Sequence, residues 1–178
     1  MVHNRLTEKN VRSSLAKKLR GYGWHALEEV WVKNIAEYRA DIIAYHQKYA
    51  ELGWFLFEVK KRGSTVNELI KAHKQIVFRY LGASIHDYRY PELNGIMPLC
   101  YVFHSPVSSK TNWNPNDFSL ILHFFNRYGI GILPSDRDFI FFEPSAVNWS
   151  RVYIDPPKSK WLNILRLKEY LDAQVFGV

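Results

Sequence analysis

A chain of 178 residues is long enough to bury one substantial core and short for two, and 47% hydrophobic against 23% charged residues places it among globular domains, not disordered or fibrous chains. Its single cysteine excludes a disulfide framework, and no apolar run is long enough to span a membrane or to follow the first residues as a signal peptide, so an intracellular, cytoplasmic protein is expected. The net charge of +7 lies in one half: 15 Lys and Arg against 8 Asp and Glu up to Tyr80, and 9 against 9 beyond it, a distribution that suits a phosphate-backbone partner as well as a merely solvated surface.

Thr7 is placed to cap a helix over Glu8–Arg20, ended by Gly21 and Gly23. Val11, Leu15 and Leu19 recur every four residues and form its buried stripe. Glu8 falls on or beside that stripe, although a first-turn glutamate is also favoured by the helix dipole. Lys9, Arg12, Lys17, Lys18 and Arg20 populate the other faces, available to phosphates or to water. Trp24–Val32 reads as a first strand, and strand alternation sends its Glu28 and Glu29 to opposite faces.

Two further strands, about Tyr38–Tyr45 and Trp54–Lys60, read as an adjacent antiparallel pair, apolar on both faces. Beyond Arg39 at the start of the first, Asp41, Glu58 and Lys60 are the only charges set into those apolar runs. Buried charge is costly unless something pairs with it, and a metal ion would supply the pairing. Glu58 and Lys60 leave one face of their strand with backbones about 6.6 Å apart, so a carboxylate and an ammonium point at one place. A structural ion cluster is the plainer alternative, since Glu-x-Lys alone is a short and common pattern.

The basic turn Lys61-Arg62-Gly63-Ser64 leads into a helix from about Thr65 to Leu81, ended by Gly82. Its stripe is Leu69, Ala72 or His73, Ile76 and Tyr80, with Gln75 beside it one turn beyond Lys71. His86–Met97 reads as a connection, and Leu99–His104 as a strand in which Cys100 is a small buried hydrophobe. A polar loop over Ser105–Asn116 precedes a helix opened by Pro115, apolar almost all round. Gly129–Leu133 and Asp138–Phe142 flank a turn and form a hairpin; the Gly-Ile-Gly run lacks the Lys-Ser/Thr of a phosphate loop. Ser159 is placed to cap a last helix over Lys160–Gln174.

Asp41 followed by Glu58-Val59-Lys60 resembles the signature of the PD-(D/E)xK nuclease superfamily, the group of many restriction endonucleases, archaeal Holliday-junction resolvases, RecB-like nucleases and VRR-NUC proteins. The resemblance covers Thr7–Leu81, with Ala40 standing where the nominal motif has proline. It implies an α/β, restriction-endonuclease-like fold: a mixed central β-sheet flanked by helices, in a single domain over residues 1–178, with core motifs in 7–81 and additional elements in 82–178. The implied activity is that of a Mg²⁺-dependent deoxyribonuclease, Mn²⁺ substituting. It would be an endonuclease hydrolysing phosphodiester bonds in DNA during recombination, repair, transposition or defence. A homodimer or a larger recombination or defence complex is compatible with it.

By the same resemblance, Asp41, Glu58 and the Val59 carbonyl would hold the metal. Glu8 matches the extra helix-borne carboxylate of the resolvase and RecB-like branches, with one of Glu28 and Glu29 as the alternative. Lys60 would orient the nucleophilic water and stabilise transition-state charge, and Gln75 matches a supporting glutamine on the following helix. The spacing from Gln75 to Tyr80 is one residue longer than the commonest Gln-to-Tyr pattern. Lys61, Arg62, Lys71, Lys17 and Lys18 are the candidate DNA contacts. Two other readings stay open: a catalytically silent nucleic-acid-binding module of the same fold, and a nuclease of RNA or single-stranded ends, for which no RNP-type aromatic motif speaks.

Overall fold

In the computed structural model, residues 7–61, 66–105, 129–135, 137–145 and 148–155 are described. Thr7 caps the first helix, its Oγ1 accepting from the Asn10 amide at 3.2 Å, and α1 spans Glu8–Gly21. Leu15, Ala16 and Leu19 are buried along it and Val11 is partly so, as the four-residue recurrence predicts. Gly23, at φ +85°, turns the chain into the sheet.

The strands are β1 (His25–Lys33), β2 (Glu37–Tyr45), β3 (Phe55–Val59), β4 (Ser84–Ile85), β5 (Cys100–Ser105), β6 (Ile130–Pro134), β7 (Phe139–Ser145) and β8 (Asn148–Tyr153). They form one sheet in the order β4-β1-β2-β3-β5-β6-β7-β8. The three middle strands β3, β5 and β6 are parallel and every other pairing is antiparallel, so the protein is a mixed α/β structure with a mixed sheet.

Helices cover both faces of this sheet. On one face α1 packs through Leu15, Ala16 and Leu19 against Trp24, Ile42, Phe55, Phe57 and Val59. On the other, α2 (Val66–Gln75) and the turn that follows it bring Ala72, Ile76 and Tyr80 against Leu27, Val30, Ile43 and Leu56. Each large aliphatic side chain buried in these layers contributes roughly 1.5–3 kcal/mol, which fixes the helices over the middle of the sheet. The β6–β7 hairpin forms where its turn residues place it, and Gly131 is required there: a Cβ would stand 2.6 Å from Ile140 Cγ2 and Phe142 Cζ. Cys100 is wholly buried, and burial pushes its thiol pKa up, as suits an inert core residue.

Two sequence expectations need correction. The helix expected to run unbroken to Leu81 changes its winding at Ile76, and residues 76–80 form a π-helical turn closed by the Leu81 amide on the Ile76 carbonyl at 3.0 Å. Glu28 and Glu29 do not diverge to opposite faces, since both reach Arg12 of α1. Glu29 sits at φ +54°, in the left-handed region, and this breaks the alternation. Leu27 and Val30, three apart, consequently pack into the same half of the core. The helices expected after Pro115 and Ser159, and most of the loop before Pro115, lie outside the described residues. No helix among the described residues is long and apolar enough to cross a membrane.

Candidate active site

β2 and β3 pair from Ala44–Phe55 to Ile42–Phe57, and there the ladder between them stops. The next residues along, Asp41 on β2 and Glu58 on β3, stand at the fork. Asp41 Oδ2 accepts the Val59 amide at 2.8 Å, so the carboxylate replaces the missing ladder bond and is oriented by it. β3 remains paired on its other side, Val59 opposite His104, and the Lys60 amide donates to the His104 carbonyl at 3.3 Å. The site is thus held by the middle of the sheet.

Glu58 is 1% exposed. Its Oε1 accepts from Lys60 Nζ, while Oε2 is buried with no hydrogen-bond partner among the described residues. Burial, and next to it the charge of Asp41, raises the Glu58 pKa to about 7 against the pull of Lys60. Burial raises Asp41 as well, opposed by the Val59 amide, Lys60 and Arg12. Lys60 shows the opposite balance. Burial alone would lower its pKa, but Glu58, Glu8 and Asp41 outweigh it and hold the ammonium above its ordinary value. Lys60 is therefore protonated at neutral pH.

Lys60 Nζ also lies 3.5 Å from Gln75 Oε1 and 4.0 Å from Glu8 Oε1. Glu8, in the first turn of α1, reaches the site from one side of the sheet, and Gln75, at the end of α2, from the other. Gln75 Nε2 donates to Tyr80 Oη at 3.3 Å, and Tyr80 Oη donates to the Arg39 carbonyl at 3.0 Å. These two side chains are five apart, and in an α-helix they would point away from each other. The π-helical turn absorbs the extra residue and restores a common face, so the longer spacing leaves their contact intact. Burial, then the Glu58 charge, pushes the Tyr80 phenol up, and it stays a neutral donor.

The structure thus gathers Asp41, Glu58, Val59, Lys60, Gln75 and Glu8, all six candidate site residues, and adds Tyr80 and Arg12. Arg12 was expected on an outer face of α1, available to phosphates or to water, yet its side chain is 12% exposed and it lies 3.4 Å from Asp41, 2.9 Å from Glu29 and 3.9 Å from Glu28. One signal in the sequence points to it: Arg12 lies one turn beyond Glu8 on the line that continues through Ala16 and Leu19. Of the candidate DNA contacts, Lys17, Lys61 and Lys71 are exposed, and Lys18 forms an ion pair with Asp138. Arg62 lies outside the described residues.

Among the described residues no three His, Cys, Asp or Glu side chains are grouped to hold a metal ion. The donor set implied by the sequence is of another kind, two carboxylates and a peptide carbonyl. Its fit rests on Glu58 Oε2, a hard oxygen donor removed from water and given no partner in exchange. Compared with family models, curated proteins and solved structures, the chain matches none of them.

Proposed function

We propose that the protein is a Mg²⁺-dependent DNA endonuclease of restriction-endonuclease-like fold. One observation carries the reading: a fully buried glutamate, with one oxygen held by a protonated lysine and the other unpartnered, stands beside an oriented aspartate at the fork of two strands. A purely structural ion pair satisfies its lone pairs, and a surface binding module has no need of buried acids. The excess positive charge of the motif-bearing half supports a phosphodiester substrate.

Asp41, Glu58 and the Val59 carbonyl would hold the cation, with Glu8 at the rim. When bound, Mg²⁺ supplies charge for the scissile phosphate and a lowered pKa for its water. The protein's own groups do the rest. Lys60, protonated, donates toward the non-bridging oxygens as charge builds on them, and it orients the attacking water by the same hydrogen bonds. Glu58 and Gln75 fix its ammonium in place, and Tyr80 fixes Gln75 through the Arg39 carbonyl. Arginine in place of Lys60 would carry its charge on a larger fork and would not fit between Glu58 and Gln75.

The test is cleavage of supercoiled plasmid, linear duplex, single-stranded DNA and a four-way junction with Mg²⁺, Mn²⁺ or EDTA. Wild-type protein is expected to cut at least one of these only with metal. Lys60→Ala is expected to lose roughly 10²–10⁴-fold in rate while still binding DNA. Salt-sensitive binding without cutting of any substrate would instead select the silent binding module.

A further inference from the structure

Arg12 makes contacts that the chain has gone out of its way to provide. Its nearest partner is Glu29, at 2.9 Å, and Asp41 stands farther off at 3.4 Å. Glu29 reaches Arg12 only because its backbone is left-handed at φ +54°, in mid-strand, a conformation that costs a non-glycine residue on the order of 1 kcal/mol or more. The β1–β2 ladder runs in register through Glu28–Ile42 and Val30–Ala40 and omits the Glu29–Asp41 pair between them. Across from Glu29, Ala40 and Ile43 also pack into one half of the core although they are three apart. Both strands therefore change face at this one pair. The break in β1 is also held from the loop after β4, where Arg89 Nη2 donates to the Glu29 carbonyl at 2.5 Å and Asp87 accepts the Trp31 amide.

What the break achieves is to set Glu29 behind the guanidinium. We infer that Arg12 is a positioning residue for Asp41, anchored by Glu29 so that it holds one oxygen of the Asp41 carboxylate while the Val59 amide holds the other. Arg20 braces Glu28 at 3.2 Å, and Arg39 stands 3.9 Å from Glu29. A fork-shaped cation suits the site, because the contacts to Glu29 and Asp41 leave from different nitrogens of one plane, while Nε lies 3.9 Å from Glu28 with no hydrogen-bond partner among the described residues. The inference rests on the nuclease reading, in which Asp41 is a metal ligand. It assigns no contact with DNA to Arg12.

A positioning role and a mere charge differ in sign. Removing a cation beside a metal site tightens metal binding by Coulomb's law, whereas removing the group that orients a ligand weakens it, typically 10–100-fold. Calorimetric titration of the full chain with Mn²⁺ alone, without DNA, separates them. Arg12→Ala and Arg12→Lys are both expected to weaken Mn²⁺ binding about 10-fold or more. Lysine keeps the charge and loses the fork, so a charge role would leave Arg12→Lys as wild type. Glu29→Asp keeps the charge but draws the carboxylate back from Arg12, should weaken binding less, and carries the test if the Arg12 variants do not fold. In cleavage, kcat should fall with KM for DNA unchanged, since Arg12 is not placed as a phosphate contact. Tighter Mn²⁺ binding by Arg12→Ala, or wild-type binding by Arg12→Lys and Glu29→Asp, overturns the inference alone. A wild-type protein that takes up no Mn²⁺ overturns the metal reading and this inference with it.

Discussion

Glu58 and Asp87 are both carboxylates 1% exposed to solvent, and the protein treats them in opposite ways. Asp87 is fully answered. Its Oδ2 takes the Trp31 amide at 2.9 Å and Arg89 Nη2 at 2.7 Å, and its Oδ1 takes the Arg89 amide and Nε at 3.0 Å each. These bonds, those from the Arg89 side chain first, bring its pKa down to about 2. It ties the loop after β4 to β1, directly and through Arg89, whose Nη2 also donates to the Glu29 carbonyl. Glu58, equally screened from solvent but set in the middle of the sheet, has one oxygen on Lys60 and, among the described residues, no partner for the other, and its pKa is raised to about 7. A buried acid satisfied in every direction is architecture. One left short of partners among other charges is what the proposed metal site would use.

The largest expected effect lies in activity. Glu58→Gln should lower metal-dependent cleavage by on the order of 10²–10³-fold, whereas Asp87→Asn should leave the rate per folded molecule unchanged. Equal losses in the two variants would erase the distinction.

Stability should reverse that ranking. Asp87→Asn replaces one of two acceptor oxygens and removes the charge from a pair whose arginine is partly exposed, and is expected to cost about 2 kcal/mol in denaturant unfolding. Glu58→Gln, in EDTA at pH 8, should stabilise the fold by about 2–3 kcal/mol, because the ionised carboxylate no longer has to be buried.

Titration of wild-type stability in EDTA sharpens the contrast further. Glu58 has a folded pKa of about 7 against 4.5 unfolded, so the native state holds the extra proton between those values, and stability should fall as pH rises through that window. Asp87, depressed from 3.8 to about 2, has the opposite sign: its contribution of about 2 kcal/mol is present above pH 3.8 and lost as pH falls toward 2. Glu58→Gln should abolish the first slope and leave the second.

The smallest effect expected is at the π-helical turn. Gln75→Ala should reduce cleavage about 10-fold by freeing Lys60. Tyr80→Phe should cost about 1 kcal/mol in unfolding through the lost bond to the Arg39 carbonyl, with a lesser loss of rate. A wild-type rate in Gln75→Ala would remove Gln75 from the site.

The sequence made Asp41, Glu58 and Lys60 legible because charge in an apolar strand is conspicuous and a period of two fixes its face. The Gln75 helix and the α1 stripe were legible for the same kind of reason, through the 3.6-residue period. Arg12, Glu29 and the π-helical turn were not. Glutamate has no preference for left-handed backbone, so nothing in its identity announces the break in β1. A π-helical turn differs from an α-helical one by a single residue of winding, with no composition of its own. Asp87 sits in an irregular connection where no periodicity says which polar group is buried.

The central claim is that Glu58 keeps an oxygen free for a divalent cation, and it is met most directly by unfolding wild type, Glu58→Gln and Asp87→Asn in EDTA and in saturating Mg²⁺. A site that binds Mg²⁺ only when folded should gain about 3 kcal/mol at a hundredfold excess over Kd. That gain is expected in wild type and in Asp87→Asn, and it should vanish in Glu58→Gln. Mg²⁺ that leaves wild type unchanged, or that stabilises Glu58→Gln equally, would contradict the account.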